Sequence, residues 1–307
     1  MGRVLVTGAS GFIGSALVAG LRTKRSDVFV VDLAPFPDRS IAGVVGDLRD
    51  PDVLAAALAF APETIFHLAA RTSVLQSVRD PQGVYDVNVD VTQRLLEGAR
   101  KIEVASFVFA SSNAVVGETS GAIIDESTPM RPLTPYGATK AAAEMLCSAY
   151  TESYGLPTCA VRFTNVYGHG MGAKDTFVVR LMRAAASQRP VTIYGDGLQE
   201  RDYLHVDDAT SALLNAADGH LAGPLTLGTG ISTSVLALCR LASTAIGVPI
   251  DVVHTDAPAG EMRAVRVDIS KARSLGFTPT VPLREGLIRT WGALQSELEP
   301  VDPTAGR

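Results

Sequence analysis

The chain has 307 residues, 47% hydrophobic and 19% charged, with 27 Lys plus Arg against 32 Asp plus Glu. That length holds one large or two modest domains, and a net charge of -5 excludes a nucleic-acid footprint, which needs clustered positive charge. Cys147, Cys159 and Cys239 are odd in number and form no CxxC pair, so neither a disulfide framework nor a metal site is expected. No apolar run approaches the roughly 20 residues of a membrane helix. The chain reads as a strand from its first residues, which predicts a cytoplasmic protein without a targeting segment. Lysine is scarce: Lys24, Lys101, Lys140, Lys174 and Lys271 stand against 22 arginines.

In chain order, runs rich in Val, Ile and Phe alternate with Ala- and Leu-rich stretches of helical period. Strands are predicted at 3–7, 28–32, 43–46, 64–69, 106–111 and 158–163, and helices at 13–22, 51–59, 84–101 and 137–154. Alternation of this kind builds βαβ units, and strands apolar on both faces belong in a parallel sheet covered by helices on either side. The expected fold is α/β, a Rossmann-type doubly wound parallel sheet. After Asn165 Gly-rich loops surround shorter elements, which predicts a smaller, interleaved C-terminal lobe. On this reading residues 1–165 bind a dinucleotide, a segment around 202–228 returns to that domain, and 166–307 mainly bind substrate. The tail after Leu298 lacks periodicity and is expected to fray.

Gly8-Ala9-Ser10-Gly11-Phe12-Ile13-Gly14 links the first strand to the first helix. Such a turn needs residues without a Cβ where the backbone nears a pyrophosphate, and the helix start offers free N–H groups to it. Asp32 closes the second strand, where a carboxylate binds the ribose hydroxyls of NAD. No arginine follows it directly to accept a 2'-phosphate, so NAD is expected rather than NADP. Asp47 and Leu48 end the third strand beside the adenine position, although Asp47 alone also reads as a turn residue or a cap ahead of Pro51. Leu68, Ala69 and Ala70 leave space for the cofactor. His67 is given no catalytic role.

Tyr136 and Lys140 stand four apart at a helix start, on one face. A phenol is a poor base at its ordinary pKa near 10, and bringing it to about 7 takes about 4 kcal/mol. A neighbouring ammonium and a positive nicotinamide ring are the expected sources. Ser111 and Ser112 end the preceding strand, at the edge of an α/β sheet that reaches ligand, where a hydroxyl can hydrogen-bond a substrate oxygen.

Taken together, the Thr7 to Gly14 turn, Asp32, Ser112 and Tyr136-Gly-Ala-Thr-Lys140 resemble the extended short-chain dehydrogenase/reductases, in their nucleotide-sugar epimerase/dehydratase branch. The likeness continues through Arg162 to Gly168, Ile193 to Gly197, Arg201 to Asp208, Gly228 to Gly230 and Asp268 to Lys271. It implies Tyr136 as catalytic base and acid, Lys140 as its partner on the nicotinamide ribose, and Ser112, with Ser111 beside it, on the reacting hydroxyl. It further implies Asn88 in the cofactor pocket, and Asn165 and Arg201 on the substrate diphosphate. A homodimer through helices 84–101 and 137–154 follows from the same likeness.

Departures from the family pattern narrow the reaction. The Asp-Glu pair that serves water elimination in family dehydratases is here Asn113-Ala114, and Asn113 also replaces the glutamate of related decarboxylases. What remains is NAD-dependent inversion at C4 of a UDP-hexose or UDP-uronic acid through a 4-keto sugar. A nucleotide-sugar 4-ketoreductase or dehydrogenase is the alternative, and a non-catalytic NAD-binding regulator the third. Val116, Thr164 and His169 replace usual family residues. Pro258 stands where relatives place a second diphosphate-binding arginine, leaving Arg263 or Arg266 as candidate replacements. Val265 holds a position that limits the sugar substituent, and its small side chain predicts room for a bulky or acidic one.

Overall fold

The structure, a computed structural model, describes residues 2–256 and 263–298. Pro258 and the tail after Leu298 lie outside the described residues. Seven parallel strands form one sheet in the order Gly223–Leu227, Thr158–Phe163, Ser106–Ser112, Thr64–His67, Arg3–Thr7, Asp27–Asp32, Ala42–Val45. The chain thus winds outward from Arg3–Thr7 in one direction, then resumes at Thr64–His67 in the other. Connections leaving the two central strands diverge to opposite faces, and that divergence opens a crevice at their carboxyl ends.

Period-two alternation divides each strand between two cores. Val4 and Val6 join Leu17, Leu21 and Leu213 on the face covered by helices Phe12–Thr23 and Val206–Asp218. Leu5 joins Ile65, Leu95 and Phe107 on the other face, under helices Val91–Lys101 and Pro135–Tyr154. A third core, with Tyr167, Met182 and Leu238, sits among the shorter elements of the second half. Phe12, from the first glycine turn, is buried in that third core, so the turn is wedged between the two halves. Strands Asn165–Tyr167, Glu200–His205 and Ser232–Ser234 make a separate three-stranded sheet there. Among the described residues, no helix is long and apolar enough to cross a membrane.

Three boundaries differ from the sequence reading for identifiable reasons. Strand 64–69 stops at His67, because Leu68 still donates its N–H to Thr7 O (3.1 Å) while the Ala69 N–H turns to the Thr7 hydroxyl (3.3 Å). The helix expected from 137 starts at Pro135, with Thr134 capping it, since proline is favoured in a first turn that needs no N–H. The single helix expected at 84–101 is two helices, Pro81–Tyr85 and Val91–Lys101, joined by a π turn over Asp86–Asp90. Apolar periodicity does not distinguish a π turn from an α turn, and both bury one face.

His67 is sealed at the end of its strand. Thr92 donates its hydroxyl to Asn88 O (2.7 Å), so the Thr92 oxygen accepts from His67 Nε2–H (3.0 Å), and Nδ1 accepts from the Thr7 hydroxyl (2.7 Å). Burial first, and then the Lys140 charge, hold the imidazole pKa down from 6.5 to about 3. Between those values the unfolded chain carries the extra proton, so stability falls as pH drops through that window, by up to about 1.4 kcal/mol per pH unit. His67→Asn should therefore show a shallower loss of urea-unfolding free energy than the parent between pH 6.5 and 4.5; parallel slopes would contradict the neutral, buried imidazole.

Candidate active site

A cavity of about 870 Å³ opens where the central strands diverge and reaches into the second half of the chain. The first glycine turn supplies Gly8, Gly11, Phe12, Ile13 and Gly14 to its lining. Gly8 has φ +71°, and a Cβ there would lie 2.6 Å from Ala69 N; one on Gly14 would lie 2.1 Å from Gly8 O. Neither position tolerates a side chain. The helix behind the turn has Gly11 as its N-cap, with no side chain answering its first N–H groups, so those donors and the positive end of the helix dipole are available to an anion. Asp32 is oriented on the cavity by two backbone donors, Ser10 N–H (2.9 Å) and Ala34 N–H (3.2 Å).

Asp47, Leu48, Leu68, Ala69 and Ala70 also line the cavity. Asp47 is additionally a turn residue paired with Arg49 (2.6 Å), and its hydrogen bonds to Arg49 hold its carboxyl below the usual range. These residues fit a dinucleotide: a backbone cradle, an unanswered helix start and a carboxylate at the end of the next strand.

Ser112, Tyr136 and Lys140 border the same cavity. Burial raises the pKa of the Tyr136 phenol, by more than the neighbouring Ser112 hydroxyl lowers it. Lys140 Nζ donates to Ala110 O (2.7 Å) and lies 4.6 Å from the centre of the Phe109 ring. Desolvation brings the Lys140 ammonium down to about 7, against the opposing charge of Glu144. The expected relief of Tyr136 by Lys140 is thus not what governs the phenol in the protein alone; burial governs it.

Other expectations need correction. Ser111 borders the cavity, but its hydroxyl donates to Glu144 Oε1, because successive strand residues point to opposite faces. Asn88 is not among the lining residues, whereas Val87 and Val91 are. Asn88 sits in the π turn with Oδ1 accepting from Arg71 N–H (2.9 Å) and Nδ2 donating to Arg71 O and Thr139 Oγ1 (both 3.1 Å); it braces the cavity from behind.

Arg263 and Arg266 do not line the cavity either. Arg263 donates its backbone N–H to Glu118 (3.0 Å), and Arg266 pairs with Glu200 (2.6 Å). Val265 and Val116 are buried away from the cavity, so neither sets its width. Asn165, Thr164 and Arg201 do line it, with Arg201 Nη1 donating to Glu200 O (2.8 Å).

Sequence reasoning missed Lys174, Arg180 and Tyr194, which line the cavity in the second half. Arg180 lies 5.8 Å from the centres of both the Phe177 and Tyr194 rings. The scarcity of lysine was a usable signal for Lys174, which stands in a Gly-rich loop beside the Asn165 segment. Outside the cavity, His169, His205 and Asp207 bring possible metal-ligand atoms within 4.8 Å of one another. The Arg289 guanidinium lies 3.4 Å from Asp207, and the Asp207 N–H already donates to His205 Nδ1 (3.3 Å) at a helix start, so positive charge and a cap hydrogen bond occupy that geometry.

Comparison with known proteins follows the same lines. The UDP-glucose 4-epimerase of Mycolicibacterium smegmatis is 36% identical, over 94% of this chain and 97% of its own. The UDP-glucose 4-epimerase of Thermus thermophilus, solved in complex with NAD, superposes with a TM-score of 0.89 at 32% identity, over 95% of this chain and 99% of that one. The Bacillus cereus UDP-glucuronic acid 4-epimerase, solved with UDP-glucuronic acid and NAD, superposes with a TM-score of 0.88 at 28% identity, over 96% and 99%. Residues 4–224 match the family model, and the chain belongs to the NAD dependent epimerase/dehydratase family.

Proposed function

We propose that the protein inverts C4 of a UDP-hexose or UDP-uronic acid through a transient 4-keto sugar. The observation that carries this is the meeting of Ser112, Tyr136 and Lys140 in one cavity with the dinucleotide cradle, while the positions after Ser112 hold Asn113 and Ala114 and offer no acid-base pair for eliminating water. Ser112 holds the C4 oxygen and Tyr136 removes its proton, later returning it. NAD, held by the Gly8–Gly14 turn and Asp32, would supply the acceptor and donor of hydride at C4 and, when oxidised, a positive charge. The buried phenol needs that charge together with the Lys140 ammonium, since burial alone keeps it protonated.

Residues 1–165 then carry the cofactor and 166–307 mainly the nucleotide sugar. Asn165 and Arg201 hold the diphosphate while the sugar turns between its two faces, and Lys174, rather than Arg263 or Arg266, supplies the further cation. One continuous cavity is lined both by the dinucleotide cradle and by Asn165, Lys174 and Arg201. The buried, unpaired thiols of Cys147, Cys159 and Cys239 support a reducing, cytoplasmic setting. Exposed Leu75, Val78 and Met145, on neighbouring helices, support a homodimer through that face.

Purified protein given UDP-glucose or UDP-glucuronate should yield the C4 epimer without added cofactor; stoichiometric use of external reduced nicotinamide with no epimer identifies a ketoreductase instead. Tyr136→Phe should lower kcat roughly 10²- to 10⁴-fold while NAD still copurifies, and retained turnover removes Tyr136 as the base. Arg201→Ala should raise KM more than it lowers kcat, by the 1.5–3 kcal/mol or so of a charge-assisted hydrogen bond; an unchanged KM places the diphosphate elsewhere. Light scattering should give the mass of two protomers, and one protomer refutes the dimer.

A further inference from the structure

Three residues of helix Pro135–Tyr154 at successive turns grip three successive residues at the end of strand Ser106–Ser112. Tyr136 stands beside Ser112, Lys140 donates to Ala110 O (2.7 Å), and Glu144 accepts from the Ser111 hydroxyl. Glu144 is itself held by a second strand. Arg162, the register partner of Ser111, donates Nε to both Glu144 oxygens (3.2 and 3.0 Å) and Nη2 to Oε2 (2.9 Å), and its Nη1 reaches the carbonyls of Asp125 and Glu126 (both 3.4 Å). Lys140, Glu144, Arg162 and Ser111 are all at least 95% buried. A buried ion pair of this kind gains little stability over an apolar replacement, which directs attention to what it does for its neighbours.

We propose that Glu144, anchored by Arg162, is a positioning residue for proton transfer: it fixes the strand end that carries Ser112 and supplies the counter-charge for the buried Lys140 ammonium. The inference rests on the epimerase reading for its purpose, though not for its test. Of the other titratable groups around Lys140, Cys147 acts in the same direction but less than Glu144. Tyr136 and Cys147 on the same helix and Cys159 on the neighbouring strand have raised pKa values and are neutral, and so is His67, held at about 3. Arg162 is spent on Glu144. Glu144 stands one turn from Lys140 and is, among the described residues of this shell, the carboxylate that favours the charged lysine.

With only five lysines, carbon-13-labelled lysine gives an NMR titration in which Lys140→Met assigns the Lys140 signal. In Glu144→Gln the Lys140 midpoint should fall by at least about one pH unit, a tenfold change in its protonation equilibrium, whereas Glu144→Asp, which keeps the charge, should retain most of it. The alkaline limb of kcat should move to lower pH in step. Should Glu144→Gln leave Arg162 uncompensated and fail to fold, the double variant Glu144→Gln with Arg162→Met removes both charges and should show a smaller fall in the same direction, since the opposing Arg162 charge leaves with Glu144. An unmoved midpoint in either folded variant, or an equal fall in Glu144→Asp, overturns the proposal. Absence of C4 inversion alongside a moved midpoint defeats the epimerase reading and leaves the role of Glu144 standing; inversion with an unmoved midpoint does the reverse.

Discussion

Parallel strands finish at a common edge, and in this protein everything chemical is gathered along that edge. Thr7, Asp32, His67 and Ser112 are the last residues of four neighbouring strands, and the cavity lies where connections from the two central strands part. A ligand there meets backbone donors from a helix start, a carboxylate from one strand and a hydroxyl from another without any long loop having to be ordered. The arrangement depends on close approach of the chain to itself at Gly8 and Gly14, where a Cβ would sit inside another backbone atom's radius. Those two contacts set the distance from sheet to helix, and the remaining site residues take their places from that spacing.

Much of this was legible in the sequence. Six strands and the sheet class followed from apolar runs, since strands covered on both faces leave a continuous hydrophobic record. The cofactor turn was legible because a backbone approach that close admits only glycine. What escaped was whatever depends on side-chain direction. Ser111 and Ser112 look alike in sequence, yet the pleat sends one to Glu144 and leaves the other for the cavity. Asn88 matched a family motif, but the π turn points its amide at Arg71 and Thr139. Arg263 and Lys174 are both cations in Gly-rich surroundings, and only the packing of the second half brings Lys174, rather than Arg263, to the cavity.

Electrostatics follow a similar logic of distance and dehydration. An acidic protein of net charge -5 presents a cavity whose lining includes Arg49, Arg71, Lys140, Lys174, Arg180 and Arg201. Net charge describes the whole molecule and its solubility, whereas attraction for an anion is local. Dehydration then works against the site: burial makes Tyr136 a weaker acid and Lys140 a weaker base.

The order of strands in the sheet has a bearing on how the chain is made. Strand Thr158–Phe163 is buried along its whole length, and its outer neighbour, Gly223–Leu227, comes much later in the chain, after strands Asn165–Tyr167 and Glu200–His205 of the other half. Until those later residues leave the ribosome, an apolar strand lies at the edge of the sheet with unpaired backbone groups, a template for pairing with another chain. The first half therefore completes its sheet only with a strand that the second half supplies.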